Sequence, residues 1–404
     1  MLALCTIGTA LLSLAPLQAK PNSHTWVTLD SDIPGVSPNH DANLTNPWGL
    51  ALAADGASYW VADNGSGKIT RYSLNGAPFK MAPATTAQVI TVPAVSAGAT
   101  GSPTALIIDH AAFATPTDTA EFPLTVGSAS FPSQLLVATW DGQIGGYNPA
   151  ADAAKVIVGF TGDSGSNYTG LALALVEITP GEALQHRLYT VNYGKGRIEV
   201  FENSFAPVAL PAISGVAAFA DPQAVTGFAP YNIQRYSVRI GKTIQRALAV
   251  TYVNQADPMG GGGYINVFDL QGKLITQFVK SADGNGLNAP WGMAIVRNSA
   301  SVQDDTLLVG NFGDGTIRQF SLANLFTHPA PVADQGPLLR TDRAALSFDD
   351  LWSIQPGRQA TALKAFVADD DELGAQDGTL FFSAGIPAGL DNQQHGLAGR
   401  ISKK

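Results

Sequence analysis

The chain contains a single cysteine, Cys5, which lies inside the apolar opening segment of a 404-residue sequence. Removal of that segment leaves a mature chain without a thiol. Disulfides, thiolate metal sites and cysteine nucleophiles are then excluded in any compartment. Charge is scarce too: Asp, Glu, Lys and Arg make up 14% of the residues, and the formal net charge is −9. An acidic chain with so few cations is a poor partner for nucleic acid or an anionic membrane surface, both of which are held through clustered Lys and Arg. Catalytic signatures are also missing. The six histidines (His24, His40, His110, His186, His328 and His395) form no H-E-x-x-H and no i, i+4 pair. There is no G-x-S-x-G elbow, and Gly260–Gly263 lacks the lysine and following helix of a phosphate loop, which leaves it a flexible turn.

The chain is rich in turn formers, with 42 Gly and 25 Pro beside a 45% share of hydrophobic residues. That balance fits a globular protein of many short strands joined by tight loops. Residues 1–19 carry no charge, hold an apolar run from Leu2 to Ala15 and end in Ala19, which predicts a signal peptide, although a basic n-region is missing. A membrane anchor is the alternative, but the run is short for a span of about 20 residues. The expectation is a secreted or periplasmic monomer, residues 20–404, with no stable membrane span after cleavage.

A repeat organises the rest. N-P-W-G-L-A around Trp48 returns as S-P-T-A-L-I at Thr104, Y-T-G-L-A-L at Thr169, A-P-Y-N-I-Q at Tyr231, N-A-P-W-G-M-A-I at Trp291 and D-L-W-S-I-Q at Trp352, at intervals of 56, 65, 62, 60 and 61 residues. Repeats thus start near residues 46, 102, 168, 229, 289 and 350. A steady period of this length means a closed array. Each copy then carries an apolar strand, a polar turn and a returning strand, as in Y-W-V-A-D-N-G-S-G-K-I-T-R-Y. Asp or Asn beside Gly between β-branched and aromatic runs is a hairpin signal. A further run, such as Gln88–Val92 or Leu274–Val279, supplies a fourth strand in several copies. The prediction is an all-β, six-bladed β-propeller forming one domain. The sixth copy stops one strand short, and Thr25–Leu29 from the mature N-terminus is expected to complete it and close the ring.

P-W-G-L-A, V-A-D-N-G and the terminal H-G-L-A-G-R-I together resemble a family of secreted bacterial propeller proteins related to the NHL-repeat group. The resemblance covers essentially the whole mature chain and implies fold and export. Wider NHL-like propellers include lactonases, lyases and peptide- or RNA-binding modules, so the fold does not choose an activity.

In a propeller, the start of each innermost strand and the turn between second and third strands share one face. That face gathers Trp48, Asp63, Asn64, Asp141, Tyr168, Asn192, Tyr193, Asn232, Asn254, Trp291, Asn311, Trp352 and His395 as candidate ligand-binding residues at the rim of the central channel. Aromatic planes beside amides and carboxylates suit a sugar or another polar ring. Each also has a structural reading. Asp and Asn at hairpins bond their own backbone, the tryptophans fit inter-blade packing, His395 suits a structural hydrogen bond, and Gly49, Gly170 and Gly292 relieve crowding near the axis.

Two functions follow. One is a binding propeller for a small molecule, carbohydrate or peptide. The other is a metal-dependent hydrolase or lactonase, in which Asp63 or Asp141 holds a divalent cation at the channel mouth. Asp369, Asp371 and Asp377 offer oxygen ligands for a structural Ca²⁺, although their spacing is not that of an EF-hand and a solvated acidic loop is the competing account.

Overall fold

The computed structural model describes residues 23–80, 85–114, 121–178, 181, 184–240, 243–281, 284–297, 305–357, 378–386 and 395–404. Six small sheets form the blades of a propeller, antiparallel except where Asn39–His40 and Leu339–Arg340 pair parallel with Ser23–Ser31. Their innermost strands are Pro47–Leu52, Pro103–Ile108, Tyr168–Val176, Phe228–Ile240, Pro290–Val296 and Ser353–Pro356. Each packs against the next, and the last packs against the first, so the ring closes. The expected leader, residues 1–19, lies outside the described residues. No described helix is long and apolar enough to cross a membrane.

The apolar interior lies between blades. Ile108, Val137 and Trp60 fill the space between blades 1 and 2, and Phe122, Leu173 and Phe201 fill that between blades 2 and 3. Comparable clusters occupy the other four junctions. A blade exposes an apolar face on both sides, so only neighbours on both sides can bury it, and the array must run round to itself.

Crowding near the axis explains the glycines. A Cβ at Gly49 would stand 2.8 Å from the Thr104 carbonyl oxygen, one at Gly170 2.3 Å from Asn232 Oδ1, and one at Gly292 2.6 Å from the Trp352 carbonyl oxygen. Each is a contact with the following blade.

Closure follows the expectation. Ser23–Ser31 pairs antiparallel with Leu397–Lys403, from His24 opposite Lys403 to Ser31 opposite Leu397. The turn beyond this strand is fixed as well: the Asp32 carboxylate accepts bonds from His395 Nδ1 at 2.8 Å and from the Gly396 N–H at 2.9 Å.

Two departures from the repeat stand out. Blade 5 has three strands where four were expected. Its outer segment carries Pro329, Pro331 and Pro337, which lack the N–H that a ladder needs, and it makes one bridge, Pro337 to Arg318. Blade 2 carries an extra hairpin, Pro123–Val126 with Ala129–Pro132, inserted between its first and second strands.

Candidate functional site

The channel mouth is filled from within. Trp48 and Trp352 stack with ring centroids 3.7 Å apart and planes at 18°. Trp291 meets both edge-on, at 6.3 and 5.8 Å, and Phe312 lies 4.2 Å from Trp352. These four are buried, together with Tyr231. Blades 1, 5 and 6 thus supply an aromatic plug. Offset and edge-to-face pairs of this kind add about 0.5–1.5 kcal/mol each beyond area burial. Tyr193 continues the cluster from Tyr231 to Trp140. Trp140 is 37% exposed and rests edge-on against Trp48. It is the solvent-facing ring of the mouth, and it was absent from the sequence-based set because it falls one residue before the turn acid Asp141.

The rim amides and acids are engaged locally. Asn254 Oδ1 accepts its own turn's N–H from Ala256. Asn311 Oδ1 accepts from the Asn288 N–H, and Asn192 Oδ1 from the Asn167 and Lys195 N–H groups. Others bond the next blade: Asn64 Nδ2 donates to the Pro103 carbonyl and Asn232 Nδ2 to the Trp291 carbonyl. Thr104, Thr169 and Ser383 hydroxyls make equivalent bonds to the carbonyls of Tyr168, Tyr231 and Trp48. Five of the blade junctions therefore carry a side-chain-to-carbonyl bond near the start of an innermost strand.

The two acids proposed for a channel metal do not converge. Asp63 is fully buried, and its Oδ2 accepts from the Thr70 hydroxyl at 2.7 Å, across its own hairpin. Burial pushes its carboxyl well above the ordinary carboxylate range, with the charges of Asp41 and Asp30 adding to the rise. Asp141 Oδ2 accepts the Ser102 N–H at 2.9 Å. Among the described residues, no third His, Asp or Glu joins them in a cluster able to hold an ion. Asp369, Asp371 and Asp377 lie outside the described residues.

Open space exists beside the mouth instead. A cleft of about 730 Å³ runs between the outer strands of blades 2 and 3. Its outer wall is thin because blade 3's fourth strand is only Pro207–Val208. Prolines 207 and 211 deny the ladder two donors, so the chain leaves the sheet and passes over the cleft through Leu210 to Phe219. The cleft lining is mixed: Phe160, Ile198, Val208, Leu210 and Phe219 supply apolar side chains, and Thr161, Asp163 and Ser166 polar ones.

Its end nearest the mouth is polar. The Tyr168 hydroxyl donates to Glu199 Oε2 at 2.7 Å, Asn192 Nδ2 to Glu199 Oε1 at 3.0 Å, and Arg197 Nε to the same oxygen at 2.8 Å. Asn192 Nδ2 also reaches the Ser166 hydroxyl at 3.0 Å. Burial, then the Glu199 carboxylate, raises the Tyr168 phenol above its usual range, so it stays a neutral donor. Two sequence-derived residues, Tyr168 and Asn192, therefore belong to this network. Glu199 and Arg197 were missed because they sit on the third strand, which the repeat comparison treats as framework.

A second polar cluster lies at the opposite face. Asp109, Glu121 and His186 are all buried, with candidate ligand atoms within 4.8 Å of one another. His186 Nδ1 and Glu121 Oε1 are 2.5 Å apart. Sequence spacing gave no sign of this cluster, because it joins the blade 2 insertion to blade 3.

No family model matches the chain. An uncharacterised protein of Acanthamoeba polyphaga mimivirus is 30% identical over 210 residues, which is 50% of this chain and 35% of that protein. The chain thus spans about a third of that relative's length. A second uncharacterised protein of the same virus is 26% identical over 374 residues, 90% of this chain and 76% of that one. These relatives are viral, whereas the motifs suggested secreted bacterial proteins. Among solved structures, a Bacteroides thetaiotaomicron protein of unknown function is similar at 12% identity and a TM-score of 0.48, over 94% of this chain and 76% of its own. A calcium-binding regucalcin from Agrobacterium tumefaciens is similar at 12% identity and a TM-score of 0.41, over 88% and 90%. Neither structural likeness carries an argument about activity. The chain is a six-bladed β-propeller by its own strand order.

Proposed function

We propose that the protein is a binding propeller that holds a small amphipathic molecule in the cleft between blades 2 and 3. The observation that carries this reading is the cleft itself, about 730 Å³ with a lining that mixes apolar and polar side chains. Ligand sites have this size, with polar groups fixing orientation. The aliphatic and phenylalanine wall suits a ligand with an apolar body, and the Tyr168–Glu199–Arg197 end suits a hydrogen-bonding head. The proposed site shares Tyr168 and Asn192 with the candidate rim residues but lies further from the axis.

A carbohydrate bound on the exposed Trp140 at the channel rim is the rival, since an aromatic plane beside Asp141 suits a sugar. The hydrolase reading through Asp63 and Asp141 has less behind it, since Asp63 bonds Thr70 within its own hairpin and Asp141 bonds the Ser102 N–H. Export remains part of the proposal on the strength of the apolar run Leu2–Ala15, and N-terminal sequencing of the exported chain tests it.

The experiment is a saturation-transfer NMR screen of amphipathic small molecules and oligosaccharides against the wild type and Ala209→Trp. Ala209 lines the cleft and is exposed, so an indole there obstructs the cleft without entering the core. Amphipathic hits lost in that variant are expected; hits that survive it contradict the assignment.

A further inference from the structure

We propose that Asp109, Glu121 and His186 form a zinc site that joins the blade 2 insertion to blade 3, on the face opposite the cleft. The inference does not depend on the ligand reading above.

The three groups come from segments that are individually fixed. Asp109 directly follows the innermost strand of blade 2, and its N–H donates to the Gln134 carbonyl at 3.2 Å. Glu121 stands at the base of the inserted hairpin, where its carbonyl accepts the Ser133 N–H at 3.1 Å. The neighbouring Phe122 N–H donates to the Asn203 carbonyl of blade 3 at 2.5 Å. His186 is the second residue of the blade 3 strand Gln185–Asn192 and pairs with Leu175. Asn203 Nδ2 lies 3.5 Å from Glu121 Oε2, a supporting contact outside the trio.

Charge and donor chemistry then point to a cation. Relative exposures are 0% for Asp109, 6% for Glu121 and 3% for His186. If both carboxylates are ionised, even an imidazolium leaves the trio with one negative charge. Burying a charge costs several kcal/mol unless a partner charge, hydrogen bonds, a proton or a metal offset it. One imidazole nitrogen and two carboxylates suit zinc, at bond lengths of about 2.0–2.2 Å. They do not suit Ca²⁺, which takes six to eight oxygens. Donors about 2.1 Å from a tetrahedral ion stand about 3.4 Å apart, so atoms that lie within 4.8 Å of one another close by up to about 1.4 Å to meet one ion. The ion would replace the proton now between His186 Nδ1 and Glu121 Oε1. With no cysteine outside the opening segment, a tight site for a soft metal has to use such nitrogen and oxygen donors.

The test is zinc titration of the chelator-stripped chain against a chromophoric competitor, with thermal melts at each loading. One zinc per chain is expected, with a higher melting temperature when loaded and affinity at least 100-fold weaker in Glu121→Gln and His186→Gln. Substoichiometric zinc in the wild type, or equal affinity in wild type and variants, overturns the site and leaves a proton-sharing trio. Should a variant fail to fold, Co²⁺ loaded into the wild type decides by NMR: paramagnetic shifts of the His186 ring protons support the site, and shifts at another histidine instead contradict it.

Discussion

The channel mouth and the blade 2–3 cleft lie on the same face, yet one is full and the other open. At the mouth, blades 1, 5 and 6 each place a tryptophan at the repeat-equivalent position, and the three rings fill the axis, at 8%, 3% and 5% exposure for Trp48, Trp291 and Trp352. At the same position blades 2 and 3 carry Thr104 and Thr169, whose hydroxyls bond the next blade. Space opens further out, where the prolines around Val208 cut short an outer strand. In this propeller, what recurs around the ring closes it, and room for a ligand appears where one blade departs from the pattern.

The strongest way to break that contrast is Trp352→Ala. Loss of a ring stacked on Trp48 and packed on Phe312 should cost about 3–5 kcal/mol in denaturant unfolding, while ligand affinity of the folded protein stays unchanged. A variant that loses binding but little stability would mean that the mouth is the site. Gly170→Ala comes next. Its Cβ would meet Asn232 Oδ1 at 2.3 Å, and the overpacking should cost about 1–3 kcal/mol.

A more gradual effect concerns pH at the junction of blades 6 and 1. Burial, with the nearby Asp41 charge, raises the Asp30 carboxyl from 3.8 to about 7. Its folded value lies above its unfolded one, so its contribution is fully present below about 3.8 and is lost as pH rises through about 7. Stability should therefore decline across that window by at most about 1.4 kcal/mol per pH unit. Asp30→Asn, which mimics the protonated group, should flatten the slope; an unchanged slope in unfolding titrations would show that Asp30 does not set it.

The ring was legible because its cause is periodic. Trp48, Trp291 and Trp352 mark innermost strands, the Asp and Asn turns mark hairpins, and the incomplete sixth copy pointed to the N-terminal strand that pairs with Leu397–Lys403. The cleft was not legible, since it depends on a strand that ends early and on Glu199 meeting Tyr168 across 31 residues. Nor was the polar trio, where Glu121 and His186 meet across 65 residues through an insertion that interrupts the repeat. Tryptophan at a repeated rim position reads equally as binding platform or packing, and the 3.7 Å stack of Trp48 on Trp352 favours packing.

The most direct test of the account is calorimetric titration of one ligand from the screen into wild type, Ala209→Trp and Trp140→Ala. Binding weakened at least tenfold by Ala209→Trp and left within twofold by Trp140→Ala is the predicted result. The reverse pattern, with loss at Trp140 and none at Ala209, would place the ligand at the channel mouth and contradict the cleft.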